Sequence, residues 1–530
     1  MDTDDYTVVP VPLLDSTLAN TEIVFRVSLI LDAPLSFEKL QESWYQALEA
    51  RPIMQAHVRR SPSAPSGLEY HVWTPKGMEQ YLEKQRRAPD HLKDFFCLDQ
   101  SHRSISDYFP GVRIGSRAPC QSEGIFVSDS ADPQDQNHCT AFNGVQSLDE
   151  LLNSDRTTAT VQVTRFSDAT ILSISMSHIV GDLFVIKAMF KAWESALHGI
   201  SLAPMENLGR DPFSAYGPGG QLSGSNAHLL PPGWRVYGLL DKARLLSRFL
   251  WDSYVSRPER SISPRYIFIP ESEVQDLEKQ AKRDLLELEE RRQQQRIEGQ
   301  GSLVVSRSNV LHAWLLKHNH AHLDPGQWST TITIVNARAR PPVGMKIGSD
   351  DFPSHNWYGA AMAVALPSLK VGDLMSMSLG ELAMHIRKGI EAGSSAENAR
   401  RWLTFTLHHQ LWKKPSGKFV FWSPPDHHWS GLSDWRLIPL ADVDMTPARL
   451  DQVPQRVAIC SLNAHMVRAG TQRNRWVCLG QAGGGIWLAG TVSEAEWQNP
   501  RGFGKYPHIL RRTTKLSSEV TEERSEGANS

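Results

Sequence analysis

Cysteine is scarce in this chain: five in 530 residues, Cys97, Cys120, Cys139, Cys460 and Cys478, widely spread and without a C-x-x-C pair. An odd, scattered set excludes a disulfide framework and a paired-cysteine zinc site, and it points to a reducing compartment. Charge of one sign is not in excess either. Lysine plus arginine number 56 against 58 aspartate plus glutamate, a formal net charge of −2, which argues against a nucleic-acid binder working through a basic face. No apolar run approaches the roughly 20 residues that span a bilayer. The opening Met1-Asp2-Thr3-Asp4-Asp5 is acidic, unlike a secretory signal, so the expectation is a cytoplasmic protein with no membrane partner. No G-x-S-x-G elbow and no recognisable cysteine-nucleophile context appear. Gly483-Gly484-Gly485 lacks the Gly-Lys-Ser/Thr ending of a phosphate loop and reads as a turn between strands.

What is present is a junction at Ser173–Ala188. Leu172, Ile174 and Met176 alternate with Ser173, Ser175 and Ser177 in strand fashion, and the pattern turns helical after His178-Ile179-Val180-Gly181-Asp182. A histidine at such a corner can aim its ring into a cleft while packing holds the backbone, and imidazole is suited to moving protons near neutral pH. His178 is therefore the candidate general base. A structural alternative stays open, with His178 bonded to a carbonyl and Asp182 as a helix-start carboxylate. From Leu183 to Leu197 the polar residues Lys187, Lys191, Glu194 and Ser195 form one narrow stripe, which predicts a mostly buried helix stopped at Gly199. The second H-x-x-x-D match, His320 to Asp324, runs into Asp324-Pro325-Gly326 and reads as a helix end and turn.

Four stretches follow from composition. Residues 1–204 form an N-terminal α/β half, 205–260 a crossover linker rich in glycine, serine and proline, 261–505 a second half, and 506–530 a polar tail expected to be disordered. Asp99 to Leu151 is polar and reads as a surface excursion. Tyr266–Pro270 is a strand, and Glu271 to Arg296 a charged helical stretch with Val274, Leu277, Ala281 and Leu285 on one face. Its tail is expected to be a solvated helix end or loop.

Several segments in order resemble one family. Leu29 to Val58, with Leu40, Trp44, Leu48 and Arg51-Pro52-Ile53, and then Gly67 to Trp73, are similar to its opening strand, helix and second strand. His178 to Asp182 matches its H-x-x-x-D motif. Val335-Asn336-Ala337-Arg338-Ala339-Arg340 resembles its V-D/N-x-R-S-R segment, and Asn356-Trp357-Tyr358-Gly359-Ala360-Ala361 its Y-F-G-N-A segment. Ser433-Asp434-Trp435, leading to Asp444, resembles T-S-W followed by D-F-G-W-G, and Gly483 to Thr491 the closing strand. On these motifs the chain is similar to the BAHD-type acyl-CoA-dependent acyltransferases, in their fungal secondary-metabolite, trichothecene 3-O-acetyltransferase-like branch. Leu183 replaces the usual glycine after the aspartate, Ala360 replaces the asparagine of Y-F-G-N-A, and Asp444-Met445-Thr446-Pro447-Ala448 replaces D-F-G-W-G.

The resemblance implies an α/β (α+β) fold of two similar chloramphenicol-acetyltransferase-like domains, each a mixed sheet flanked by helices, with the active-site channel at their interface. It implies transfer of an acyl group, expected to be acetyl, from acyl-CoA to a hydroxyl of a secondary metabolite, in a monomer with no bound cofactor or metal and no nucleic-acid partner. His178 would be the base, Asp182 and Arg338 a structural ion pair, and the Trp435 indole N–H a donor to the oxyanion. Ser433, Ser306 and Ser308 would contact substrate or CoA. Two alternatives stay open: a condensation-like enzyme using a carrier-bound thioester, disfavoured because Ser177 stands where that group has a second histidine, and a non-catalytic binding member of the fold.

Overall fold

A computed structural model of the chain describes residues 5–88, 95–112, 114, 124–130, 144–203, 205, 208–209, 211–222, 229–256, 261–294, 303–340, 357–413, 417–451, 453–468 and 473–509. Cys120, Cys139, Asn356 and most of the 506–530 tail lie outside the described residues.

Two sheets organise the molecule. A five-stranded sheet runs in the order Ile459–Arg468, Ile23–Leu31, Thr170–Ser177, Ala159–Arg165, Phe96–Gln100. The larger sheet runs Ala361–Ala365, Trp328–Asn336, His428–Asp434, Arg475–Ala482, Gly485–Ser493, Ile262–Pro270, Phe126–Asp129, His508–Ile509, with Leu369–Lys370 beside the Trp328–Asn336 strand. All eight residues of the Thr170–Ser177 strand are buried, because both faces are covered, and on the serine face the Ser28 hydroxyl donates to Ser173 Oγ at 3.0 Å.

The halves interlock by exchanging a strand each. Ile459–Arg468, late in the chain, pairs antiparallel with Ile23–Leu31, and Phe126–Asp129, early in the chain, pairs antiparallel with Ile262–Pro270. The 99–151 region is thus not wholly a surface excursion: Phe126 and Val127 are each 1% exposed in the larger sheet. The sequence signal is short there, four residues amid polar neighbours, and long-range pairing decides the outcome.

One core lies between the five-stranded sheet and two helices, Phe37–Ala50 and Leu183–Leu197, with the Trp44 and Trp193 rings 5.1 Å apart edge to face. The other packs the larger sheet on Glu271–Gln294, Arg307–His320 and Leu379–Gly393 through residues such as Val274, Ala281, Leu311, Leu382 and Ile386. The 205–260 stretch holds more than a linker, since Leu239–Trp251 is a helix with no buried residue. Gly483 and Gly484 form a hairpin turn with φ values of 60° and 83°, left-handed at both positions, which glycine adopts at no steric cost. The second H-x-x-x-D match is the helix end and turn its context suggests. His320 ends the Arg307–His320 helix, its Nδ1 lying 2.8 Å from the Leu316 carbonyl, while Asp324 accepts from the Gly326 N–H.

Candidate active site at the facing strand ends

His178 is the first residue past the Thr170–Ser177 strand and begins a single 3-10 turn ending at Val180. Two features fix that turn. The Tyr70 hydroxyl donates to the Ile179 carbonyl. Gly181 sits at φ +142°, where a Cβ would come within 2.4 Å of Val185 Cγ2, so only glycine fits without strain. The chain then enters the Leu183–Leu197 helix with Asp182 as its cap, Oδ1 accepting from the Phe184 N–H at 3.0 Å.

The His178 ring is 6% exposed and packs against Phe25 at a centroid distance of 4.6 Å. Its Nδ1 contributes essentially none of that exposure and has no hydrogen-bond partner on a neighbouring residue. Burial lowers the pKa of the ring below the ordinary histidine value, opposed by its own main-chain carbonyl and by the Asp182 charge. His178 is thus biased towards the neutral form, the form able to accept a proton.

Asp182 does not serve His178 as a hydrogen-bond partner. Its carboxylate takes a bidentate contact from Arg338, Nη1 to Oδ2 at 2.6 Å and Nη2 to Oδ1 at 3.2 Å, and Oδ2 also accepts from the Ala360 N–H at 2.9 Å. Arg338 is 1% exposed, donates further to the Tyr358 carbonyl, and lies over the rings of Phe184 and Tyr358 at 5.0 and 5.1 Å. Because Arg338 follows the Trp328–Asn336 strand, this ion pair ties the His178 turn to the larger sheet.

A second carboxylate belongs to the same knot. Asp15 is 0% exposed and accepts the Gly359 N–H at 2.8 and 3.0 Å, one residue before the amide that Asp182 takes. Burial above all, and then Asp182, pushes the Asp15 carboxyl well up, while the Gly359 N–H and Arg338 work in the other direction. A Cβ at position 359 would meet Asp15 Oδ1 at 2.3 Å, so glycine is required for the close approach. The sequence reading missed Asp15. Its only signal is a lone carboxylate after the apolar run Val9 to Leu14, and its partner lies 344 residues away.

The larger sheet supplies the opposite wall. Its Trp328–Asn336, His428–Asp434 and Arg475–Ala482 strands are parallel, so the first two end on the same edge, where open α/β sheets place their ligands. Ser433 is the last but one residue of the second strand, and Trp435 follows that strand's end. The Trp435 Nε1–H is donated to Ser433 Oγ at 2.9 Å, and its ring meets Phe25 edge to face at 6.1 Å. Phe25 thus touches His178 on one side and Trp435 on the other. The indole donor is already engaged, which leaves the serine hydroxyl as the group able to donate onward.

Ser306 and Ser308 are also engaged. Ser306 caps the Arg307–His320 helix in a reciprocal box with Asn309, its main-chain N–H donating to Asn309 Oδ1 at 3.0 Å. The Ser308 hydroxyl donates to Asp434 Oδ2, and Arg436 grips the same carboxylate, its Nε donating to Oδ1 and its Nη2 to Oδ2. Burial works to raise the Asp434 pKa, but the Arg436 guanidinium overcomes it and holds the carboxyl down to about 2. Neither serine is hydrogen-bonded to His178, Asp182 or Trp435.

The altered D-F-G-W-G segment lies at the far end of the Leu183–Leu197 helix. The Asp444 N–H donates to Glu194 Oε1 at 3.1 Å, and Asp444 Oδ1 accepts the Thr446 N–H at 2.9 Å. A helix rises about 1.5 Å per residue, so this loop and His178 are separated by about 20 Å of helix axis.

No protein-family model matches the chain. Acetyltransferase MATC1 of Mycosarcoma maydis is 37% identical over 525 residues, spanning 95% of this chain and 98% of that protein. Acetyltransferase MAT1 of Pseudozyma antarctica (strain T-34) is 36% identical over 518 residues, spanning 95% and 98%. The crystal structure of F. graminearum TRI101 complexed with coenzyme A and T-2 mycotoxin superposes with a TM-score of 0.60 at 13% identity, over 94% of this chain and 99% of that one. Vinorine synthase superposes with a TM-score of 0.50 at 11% identity, over 93% and 91%. The structures establish the fold, shared with TRI101 and vinorine synthase, and the sequences the kinship: the chain belongs to the family of the acetyltransferases MATC1 and MAT1.

Proposed function

We propose that the protein moves an acetyl group from acetyl-CoA to a hydroxyl of a secondary metabolite, with His178 as general base. The observation that carries the reading is the clamp around Asp182. It holds a strand-end histidine of one sheet against the strand ends of the other, where two small molecules can meet. In this reading the ring proton sits on the buried Nδ1, and Nε2 keeps a lone pair for the acceptor. Nε2 removes the hydroxyl proton as the acceptor oxygen attacks the thioester carbonyl. The resulting oxyanion takes a hydrogen bond from Ser433, whose hydroxyl is oriented by the Trp435 N–H. Collapse breaks the carbon–sulfur bond, and the CoA thiolate recovers the proton from the imidazolium.

In this reading Asp182 and Arg338 position the base and do not relay its proton. Ser306 and Ser308 would reach CoA only by giving up the bonds they make to Asn309 and Asp434. Residues 1–204 and 261–505 act as the two halves of the site, joined through 205–260, with the exchanged strands as cross-ties. In this reading the altered Asp444 segment is structural, holding the helix end remote from the base. We further read the enzyme as a cytoplasmic monomer acting in secondary metabolism, without nucleic acid. The test is incubation of the purified chain with acetyl-CoA, longer acyl-CoAs and a panel of hydroxylated metabolites, reading acylated product by mass. Product from acetyl-CoA above the longer donors is expected. Ligand binding with no product from any donor would favour the non-catalytic alternative.

A further inference from the structure

The Leu239–Trp251 helix faces the wrong way for a helix of a water-soluble domain. At 100° per residue, its half-buried positions Asp241, Leu245 and Arg248, continued by Asp252, fall on one side, and three of those four are charged. That side is the one the protein holds, with Arg473 Nη1 donating to the Asp252 carbonyl at 3.2 Å. The opposite side carries Leu239, Ala243, Leu246 and Leu250, and the three leucines are 87%, 58% and 45% exposed. Trp251, the last helical residue, on the flank beside Arg244, and Tyr254 just beyond it, 60% and 75% exposed, add aromatic surface at that end of the helix. The ribbon leading into the helix adds Val236 and Phe419, 43% and 41% exposed. Isolated exposed leucines need no explanation, but a contiguous apolar ridge of this kind marks an interaction surface.

Its charges decide the partner. Lys242 and Arg244 are exposed and flank the leucine ridge on its two sides, whereas Asp241, the one acid within the helix, belongs to the protein-facing side. An apolar stripe bordered by cations, with a tryptophan and a tyrosine at one end, is the pattern of a helix lying in a lipid headgroup layer. The leucines enter the acyl boundary, and the long basic side chains reach back to the phosphates. Two copies of this chain meeting through the same face would oppose Lys242 and Arg244 to one another with no outward acid to pair them, which disfavours self-association.

We propose that this helix docks the protein peripherally on an anionic lipid surface. The expectation of no membrane partner rested on the absence of a spanning segment, and a helix lying in the interface needs none. The test is flotation of the full chain with phosphatidylcholine vesicles with and without phosphatidylserine. Flotation with the anionic vesicles, weakened by salt, is expected. Lys242→Glu with Arg244→Glu should lower vesicle affinity by at least on the order of fivefold per removed cation. Leu246→Ser with Leu250→Ser should abolish flotation, with the melting temperature of both variants unchanged. Failure of the parent to float, or variants that float as the parent does, would overturn the proposal. So would light scattering that finds a dimer which the serine variant converts to monomer.

Discussion

The two walls of the site are built by different physics. The His178 side is fixed by charge out of water: Asp182 and Arg338 are a buried ion pair, with Asp15 held beside them through Gly359. At Trp435 the donor itself is fixed by a neutral bond between an indole and a hydroxyl, while the Asp434–Arg436 ion pair on either side of it anchors the strand end. A buried pair resists the loss of either partner, because the survivor is stranded in a low-dielectric interior, whereas a neutral bond can be exchanged for one to a ligand at little cost. The contrast teaches a division of labour. In the proposed reaction the base must not move, and the oxyanion donor must be free to change partners as charge develops.

Substitutions can break that contrast. Asp182→Ala should cost roughly 3 to 5 kcal/mol of stability and lower soluble yield together with activity, since Arg338 loses its counter-charge. A variant as soluble and heat-resistant as the parent would remove the clamp from the account. On the other wall, Trp435→Phe, which removes the indole N–H but keeps an aromatic ring in the core, should leave the melting temperature nearer the parent's and slow turnover on the order of a hundredfold, about 3 kcal/mol of barrier. Ser433→Ala should slow it comparably, and the double variant should be little worse than either single one, because the two groups act as one donor. Additive losses would separate them.

Proton inventory sharpens the comparison further. Burial holds the His178 pKa below the ordinary value near 6.5, so kcat/KM should be level through neutral pH and fall as pH drops through that depressed value, about tenfold per unit below it. A limb centred above the ordinary value would mean that the ring is not biased towards neutrality. The smallest effect is expected at the periphery. Ser306→Ala removes a helix cap and should cost about 1 kcal/mol of stability with the KM for acyl-CoA unchanged. A raised KM would assign it a CoA contact instead.

Much of this was legible in the order of residues. The strand before His178, the buried helix after it and the approach of Arg338 to Asp182 all lie in segments whose spacing or motif singles them out. What stayed hidden depends on contacts across hundreds of positions. Asp15 meets Gly359, Tyr70 meets Ile179, and Phe25 fits between His178 and Trp435, and none carries a local pattern. The strand at Phe126–Asp129 is too short to announce itself, and its pairing with Ile262–Pro270 decides it. The Leu239–Trp251 helix shows a different limit. Periodicity reports that a helix has two faces, but only the fold reveals which face the protein covers.

The central claim is that one neutral imidazole at a strand end takes the acceptor's proton. Acceptor-dependent release of the CoA thiol, measured for the wild type and for His178→Ala at equal folded concentration, tests it most directly. The account predicts a loss of at least two orders of magnitude, about 10²-fold or more, with the melting transition retained. Thiol release at the wild-type rate in the alanine variant would contradict it.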